Sequence, residues 1–536
     1  MYHLYQILQE INVIQLNQYL AQNKSKIFTK NVYSLSNSIQ SKSKLDYCGP
    51  LTLGDGLSSL KKIQTLELDL QQNQINDNIF INICNGISNC VSLQNLTLNL
   101  NNNKISFAEQ YELGFLKCQN LTIFQLELSK NKIEQHGASH LVNWLSNISN
   151  LKIFKLDLRY FYFYIVLQHF LINKTYSQLI NFQSCNQIGS SGAAILGIGL
   201  ANIKTLEVLN LSLEQLQIYC QISQKYKIFI LYQNKRISHL CDKSVSELCK
   251  GLKNSQNLNS LSLQLENNKI GNLGAHEIGN YLGSINSLKN LTIDLKRNKV
   301  SQQGGFDLCN GLSNCQNLSV LSLDFYYNSV NEEIVSGLCS RLGNCSSINI
   351  LHIGLSDNQI HAKGSSCLFV GLEDCLNLKT LTIDLITNKI GSKGLTSLGN
   401  SLKNCKNLKN LTLKLRNNNI SEVGGQDLGL NLSKCKGLAF LSINLVMNRI
   451  GSLGISGLTK KLHQISHLKN LILYLNNNKI GSQGIIELGI GIRKIVSLVT
   501  LTIDLNQNEL EFTMEKKLIT HLIKTMRLVN LEMQLY

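Results

Sequence analysis

One asparagine returns in this sequence at a fixed interval. From Asn268 it falls at Asn298, Asn328, Asn358, Asn388, Asn418, Asn448, Asn478 and Asn508, a step of 30 each time. Earlier copies stand at Asn73, Asn103, Asn131 and Asn186. A chain of 536 residues would ordinarily divide into about three or four separate domains, whereas a fixed period points to one small unit stacked on itself. A single proline, Pro50, leaves no Pro-rich linkers to part such domains.

Every copy has the same anatomy. Before Asn388 stand Leu378, Leu381, Ile383 and Leu385, the last three alternating with polar residues. That is the period-two pattern of a half-buried strand. After it come Ile390, Gly391 and Gly394, then Leu395, Leu398 and Leu402 at spacings of three and four. Such spacing makes the apolar stripe of a short amphipathic helix. One strand-turn-helix unit cannot bury its own apolar edge, but a stack can. Leu381, Ile383 and Leu385 are therefore expected to face the helices, and Thr382, Asp384 and Ile386 to face outward.

The recurring polar residues have a structural reading. A backbone leaving a strand while still packed needs hydrogen-bond partners. The Asn amide both donates and accepts, so the nine asparagines from Asn268 to Asn508 are expected to bridge neighbouring turns as a ladder. Glycine six residues later (Gly137, Gly192, Gly274, Gly304, Gly364, Gly394, Gly424, Gly454, Gly484) suits either an unusual backbone conformation or a close approach that a side chain would forbid.

On these residues a resemblance can be stated. "LTIDLITNKIGSKGLTSLGNSLKNC", from Leu381, resembles a leucine-rich repeat of the ribonuclease-inhibitor type, with one extra Leu-x step in the strand. The likeness covers roughly 52–536. It implies an α/β fold: a curved leucine-rich-repeat solenoid, or horseshoe, with a parallel β-sheet on the concave side and helices on the convex side. It also implies that partners dock on the concave sheet. It names no one function, since this fold class serves many.

Residues 1–51 fall outside the repeat phase and are expected to form an N-terminal cap, with Leu4, Ile7, Ile11 and Ile14 spaced as a helical face. Residues 52–536 form the repeat domain of about fifteen strands, from Leu66–Leu70 to Leu531–Leu535. Two insertions, 159–185 and 214–237, interrupt it at the same point of the unit. Both are rich in Phe, Tyr, Ile, Lys, Gln and Asn; they are either binding loops or translated introns. The repeat stops mid-unit at Tyr536, which leaves open an exposed last strand or a longer protein.

Four residues before the Asn, the outward column holds Asp69, Glu127, Asp157, Asp294, Asp324, Asp384 and Asp504, with Lys414 its basic member. This acidic lean favours a protein partner with a basic surface. The candidate contacts are Asp294, Asp324, Tyr326, Tyr327, Asp384, Lys414, Arg416 and Tyr474.

The whole chain is basic, with a formal charge of +17, which raises nucleic acid or acidic membrane as partners. The lysines, however, gather on turns and rims: Lys389 and Lys479 after the Asn, Lys379, Lys409 and Lys469 at the strand entrance, Lys406, Lys434 and Lys436 near the helix exit. The plain reading of these is solvation of a long, low-charge stack. Nucleic-acid binding would want stacking aromatics among the cations, and the sheet face has few. Nucleic acid is not the expected partner. Nor is a membrane, because no run of about 18 apolar residues exists and the first residues lack the apolar stretch of a secretory leader. The cytoplasm, or the nucleus, is the expected location.

Of the 16 cysteines, Cys90, Cys315, Cys345, Cys375, Cys405 and Cys435 occupy one column, which elsewhere holds Ile285, Ile465 and Ile495. A slot that takes either residue is a buried apolar site. No CxxC pair has zinc spacing. His136 with His140, and His463 with His467, lack the Glu of a metalloprotease helix. Phosphate-loop and protein-kinase motifs are missing too. The expectation is a non-catalytic protein-interaction scaffold with no cofactor and no metal. The alternative is a regulatory arm acting on a GTPase or a kinase, GTPase-activating-like or a kinase-associated sensor.

Overall fold

Parallel strands cannot be joined by tight turns. Each needs a crossover of about a dozen residues or more, and the helices described between the strands supply it. The computed structural model describes residues 32–35, 49–58, 60–107, 118–145, 148, 150–161, 189–203, 205–213, 215–216, 240–255, 257–330, 347–372, 375–402, 404–508 and 530–534. The chain divides into two units, Met1–Lys269 and Ile270–Tyr536.

In the first unit the strands are β1 (Val32–Leu35), β2 (Thr65–Asp69), β3 (Asn95–Asn99), β4 (Ile123–Glu127), β5 (Ile153–Asp157), β6 (Tyr160–Phe161), β7 (Val208–Ser212), β8 (Gln215–Leu216) and β9 (Ser260–Gln264). The helices are α1 (Gly49–Ser58), α2 (Asp77–Ser88), α3 (Gln135–Leu145), α4 (Gly189–Ala201) and α5 (Asp242–Leu252). The main sheet runs β1-β2-β3-β4-β5-β7-β9, all parallel. The strand at Val32–Leu35 lies inside the segment 1–51, ahead of the first legible repeat, and pairs with β2 all the same. The helical face from Leu4 to Ile14 lies outside the described residues.

Both insertions leave this sheet undisturbed. Ile153 pairs with Val208, and Val208 with Ser260, across them. Their first residues form β6 and β8, which pair in parallel with each other. Most of the remainder of 159–185 and 214–237 lies outside the described residues.

The second unit carries β10 (Asn290–Asp294), β11 (Val320–Asp324), β12 (Ile350–Gly354), β13 (Thr380–Asp384), β14 (Asn410–Lys414), β15 (Phe440–Asn444), β16 (Asn470–Tyr474), β17 (Thr500–Asp504) and β18 (Asn530–Gln534). Each pairs in parallel with the next, with partners 30 residues apart, as in Leu381↔Leu411 and Leu411↔Leu441. Its helices are α6 (Asn272–Gly283), α7 (Gln302–Leu312), α8 (His361–Leu372), α9 (Gly391–Leu402), α10 (Glu422–Leu432), α11 (Gly451–Lys460) and α12 (Gly481–Arg493).

The period-two pattern decides which face is dry. Leu381, Ile383 and Leu385 are buried, and Leu395, Leu398 and Leu402 of α9 are buried with them. Thr382, Asp384 and Ile386 keep access to solvent. Burying one Leu or Ile side chain contributes about 1.5–3 kcal/mol, and the same columns recur in every described repeat. Close packing explains the glycine six residues after the Asn. A Cβ on Gly454 would sit 2.9 Å from Cα of Glu422 in the preceding repeat and 2.9 Å from Ile450 Cγ2 in its own. Crowding between turns, rather than an unusual φ, excludes a side chain there.

Candidate functional site

The turn that leaves each strand is tight. The residue just before the Asn takes left-handed backbone at Arg297, Tyr327, Thr387, Asn417, Met447 and Asn477, with φ between 50 and 58°. Backbone groups around this turn are buried and point along the stack, where the Asn side chain meets them. Asn418 Nδ2 donates to Leu385 O of the preceding repeat at 2.7 Å and to Arg416 O at 3.0 Å. Its Oδ1 accepts from the N–H of Asn388 at 3.1 Å and of Ile390 at 3.3 Å. Asn388, Asn448, Asn478 and Asn508 bond to the preceding repeat in the same way. In the first unit, Asn103 bonds so with Leu70, Asn73 and Ile75. Stacked parallel strands, helices in the described connections between them and a buried Asn tying turn to turn decide the fold.

The chain is folded as a leucine-rich repeat protein.

On the helix-free face of the second unit's sheet, the outward acid column does two jobs. Asp294, Asp324, Asp384 and Asp504 each accept the backbone N–H two residues on, from Lys296 at 3.0 Å, Tyr326 at 3.0 Å, Ile386 at 3.3 Å and Asn506 at 3.2 Å. Asn444 does the same for Val446 at 3.1 Å. One oxygen of each carboxylate is thus spent on closing the strand end, as an Asx turn. Sequence reasoning missed this role; the signal available was that Asn replaces Asp at residue 444.

The other carboxylate oxygens of Asp294, Asp324 and Asp384 meet lysines of the same sheet face. Lys296 Nζ lies 2.8 Å from Asp294 and 3.4 Å from Asp324. Burial pulls the Lys296 pKa down, but hydrogen bonds and charge from Asp294 and Asp324 more than offset it and hold the ammonium firmly charged. Burial raises the Asp324 pKa, against the Tyr326 N–H and Lys296, which lower it. Further along, Lys414 Nζ bonds to Asp384 at 3.2 Å, and the Ser356 hydroxyl donates to the same carboxylate.

Between these clusters, Gly354 takes the column's place, in register with Asp324 on one side and Asp384 on the other. The Asp324 carboxylate leans over it, 2.5 Å from where a Cβ would be. Beneath is His352, whose pKa burial lowers; Asp324 and Asp384 oppose that and Lys414 and Lys296 add to it. His352 was not singled out from the sequence, although it stands in register between Ser322 and Thr382, with Thr412 and Ser442 next along the column.

The aromatic candidates form their own group. The Arg297 guanidinium lies over Tyr326 at 5.7 Å, and the Tyr326 and Tyr327 rings are 6.0 Å apart. Tyr327 is 61% exposed, turned out by its left-handed backbone. Arg416 bonds to Met447 Sδ at 3.2 Å. Tyr474 is exposed on β16, with Asn444 and Asp504 as its register partners. Of the sequence-predicted residues, Asp294, Asp324, Asp384, Lys414 and Tyr474 end strands of one sheet and Tyr326, Tyr327 and Arg416 lie in the turns that follow; they gather into Asp294–Lys296–Asp324, Arg297–Tyr326–Tyr327 and Asp384–Lys414, with Arg416 and Tyr474 outside these groups.

At the opposite end of the strand the cysteine column is buried. Cys315, Cys405 and Cys435 each donate S–H to a carbonyl at the end of the helix one repeat earlier, Leu282, Leu372 and Leu402, at 3.6, 3.7 and 3.4 Å. Cys345 lies outside the described residues. Burial holds the Cys90 thiol up at about 12 and Cys435 at about 11. Such thiols are poor nucleophiles and poor metal ligands. Among the described residues no group of three or more His, Cys, Asp or Glu is placed to hold a metal ion.

No protein-family model matches the chain, and no curated protein does. Solved structures do. A leucine-rich-repeat protein of Leptospira interrogans aligns at 15% identity over 92% of this chain and 100% of its own, with a TM-score of 0.43. TLR13, in its complex with ssRNA13, aligns at 16% identity over 90% of this chain and 69% of its own, with a TM-score of 0.39.

Proposed function

We propose that the protein is a non-catalytic scaffold that captures a protein partner on the helix-free face of β10–β16. The observation that carries this reading is the seat at Gly354. Two carboxylates in one column flank a position with no side chain, and a lysine stands by on either side. A basic side chain from a partner fits there, competing with Lys296 and Lys414 for carboxylates already desolvated and oriented. Tyr326, Tyr327 and Tyr474, with Arg416, extend the contact as amphipathic anchors of the kind enriched at protein interfaces.

The repeats are of the ribonuclease-inhibitor class, supported by a full helix in the described repeats. The protein works in a reducing compartment, the cytoplasm or nucleus, supported by described cysteines that are all free thiols. Among the described residues no helix is long and apolar enough to cross a membrane.

Affinity capture from the native cell, read by mass spectrometry, supplies the partner. Asp324→Lys with Asp384→Lys is then expected to weaken capture at least tenfold, and Tyr327→Ala severalfold. A double variant that melts like the parent and captures the same partner unchanged sinks this reading.

A further inference from the structure

A different surface carries the chain's positive charge. From Asp427 to Glu487 the sequence contains no other acidic residue, yet that stretch crosses two repeats. Its cations gather where each helix ends and the next strand begins. Lys434 and Lys436 lie after α10 and Lys460 and Lys461 at the end of α11; just past Glu487, Arg493 and Lys494 repeat the pattern at the end of α12, and all six are exposed. None has a carboxylate within ion-pair distance among the described residues; Lys434 reaches only Asn431 Oδ1 and Lys436 only the Gln464 carbonyl.

These turns form one edge. Lys409 N bonds to Lys379 O at 2.9 Å, Ala439 N to Lys409 O at 2.8 Å, and Lys469 N to Ala439 O at 2.9 Å, so the strand entrances are laced together. Parallel strands lie about 4.7–4.9 Å apart, which sets the spacing of the charges. One position of five successive turns holds Leu376, Lys406, Lys436, Ser466 and Val496, all exposed. Its two ends are apolar: Leu376 is 61% exposed and Val496 is 92% exposed.

We infer that this edge docks on an anionic lipid surface. Unpaired cations attract acidic headgroups, at about 1 kcal/mol per Lys or Arg near the surface. Protruding aliphatic side chains beside them enter the headgroup boundary. A single-stranded nucleic acid would instead be held by bases stacked on aromatic rings among the cations. Segments 404–409, 433–439, 460–469 and 493–499 contain no Phe, Tyr or Trp. The contact is peripheral, and it departs from the sequence expectation of no membrane partner, which read the rim lysines as solvation and looked for spanning and leader segments.

The test is co-sedimentation of the full chain with vesicles of phosphatidylcholine, with or without phosphatidylserine. Binding is expected only when phosphatidylserine is present, and to fall as salt rises from about 0.1 M to about 1 M, which shortens the screening length from about 10 Å to about 3 Å. Exchanging Lys434, Lys436, Lys461 and Lys494 for Gln is expected to weaken binding roughly fivefold per lysine. Val496→Ser should weaken it by a smaller factor. Lys389→Gln with Lys479→Gln, at the turns leaving the strands, should leave it unchanged. The inference is overturned by equal binding to neutral vesicles, by a quadruple variant that binds like the parent, by equal loss in the Lys389/Lys479 variant, or by binding to a single-stranded RNA oligomer and not to vesicles.

Discussion

Each repeat has two turns, and they solve the same problem with unequal means. Where the chain leaves a strand, one buried Asn satisfies several backbone groups: Asn418 serves Leu385 O, Arg416 O, Asn388 N and Ile390 N. Where the chain enters a strand, the buried slot makes one weak S–H bond, as Cys435 does to Leu402 O. That difference explains what the sequence tolerates. Asn holds its column without exception from Asn268 to Asn508, while the other slot accepts Cys, Ile and Ser. A side chain serving four groups leaves several orphans when replaced, and each buried orphan costs about 1–3 kcal/mol. A thiol serving one carbonyl leaves one at most.

The comparison breaks most easily at Asn418. Asn418→Leu is expected to destabilise the second unit by roughly 3–6 kcal/mol, since the four backbone groups lose their partner together. Cys435→Ile should cost less than about 1.5 kcal/mol, as a swap between apolar side chains in an apolar slot. Hydrogen exchange at the Asn388 and Ile390 amides, with denaturant unfolding of the full chain, measures both. Equal losses for the two variants would show that packing, and not hydrogen-bond count, separates the turns.

Alkaline pH reaches the thiol of the strand-entrance turn, whereas the ladder Asn of the strand exit does not titrate. Burial raises the Cys435 thiol from its ordinary 9.0 to about 11, so the folded state keeps a proton that the unfolded chain gives up. The stability this group contributes is fully present below pH 9.0 and is lost as pH rises towards about 11. At about 1.4 kcal/mol per pKa unit, the loss is on the order of 2–3 kcal/mol. Cys435→Ile should flatten that part of the stability profile. A profile unchanged by the substitution would mean the thiol is far more open to water than its packing implies.

Much of this architecture is legible in the sequence, and the reasons are local. Leu381, Ile383 and Leu385 declare a strand by alternation, and Leu395, Leu398 and Leu402 a helix by spacing; stacking follows because neither can bury its face alone. The Asn ladder is equally plain, because an amide at a strand exit has few other uses. The face is harder to read. Asp294, Asp324 and Asp384 look like a free acidic column, but a bond from a carboxylate to the N–H two residues on depends on turn geometry that spacing does not convey. Their pairing with Lys296 and Lys414 depends on which way long side chains bend. The seat at Gly354 needs both facts together.

Ser255 sharpens the comparison from the other side. It occupies the cysteine slot of its own repeat, 30 residues before Ile285 and 60 before Cys315, and its buried Oγ has no hydrogen-bond partner. A hydroxyl sealed in this way costs about 1–3 kcal/mol. Ser255→Cys should stabilise the first unit by about 1 kcal/mol, since a thiol is less costly to bury and reaches further. A loss of stability would show that the slot at Ser255 is too small for sulfur.

The smallest effect concerns the left-handed residue at the strand exit. Asn417 and Asn477 sit there at φ 55° and 54°, a conformation Asn tolerates, but Thr387 is held at φ 58°. A β-branched side chain pays most for that backbone. Thr387 is only half-buried and its neighbour Asn388 makes the ladder bonds, so the side chain itself can be changed without touching the ladder. Thr387→Asn should raise stability by about 0.5–1 kcal/mol, read as a shift in the denaturant midpoint of the second unit. If the variant is neutral, the turn is stiff enough that its asparagine ladder sets φ whatever residue precedes it, and the strain at Thr387 is already absorbed by neighbouring repeats. If it is stabilising, the residue before each ladder Asn is a site where repeats differ in stability while sharing every hydrogen bond.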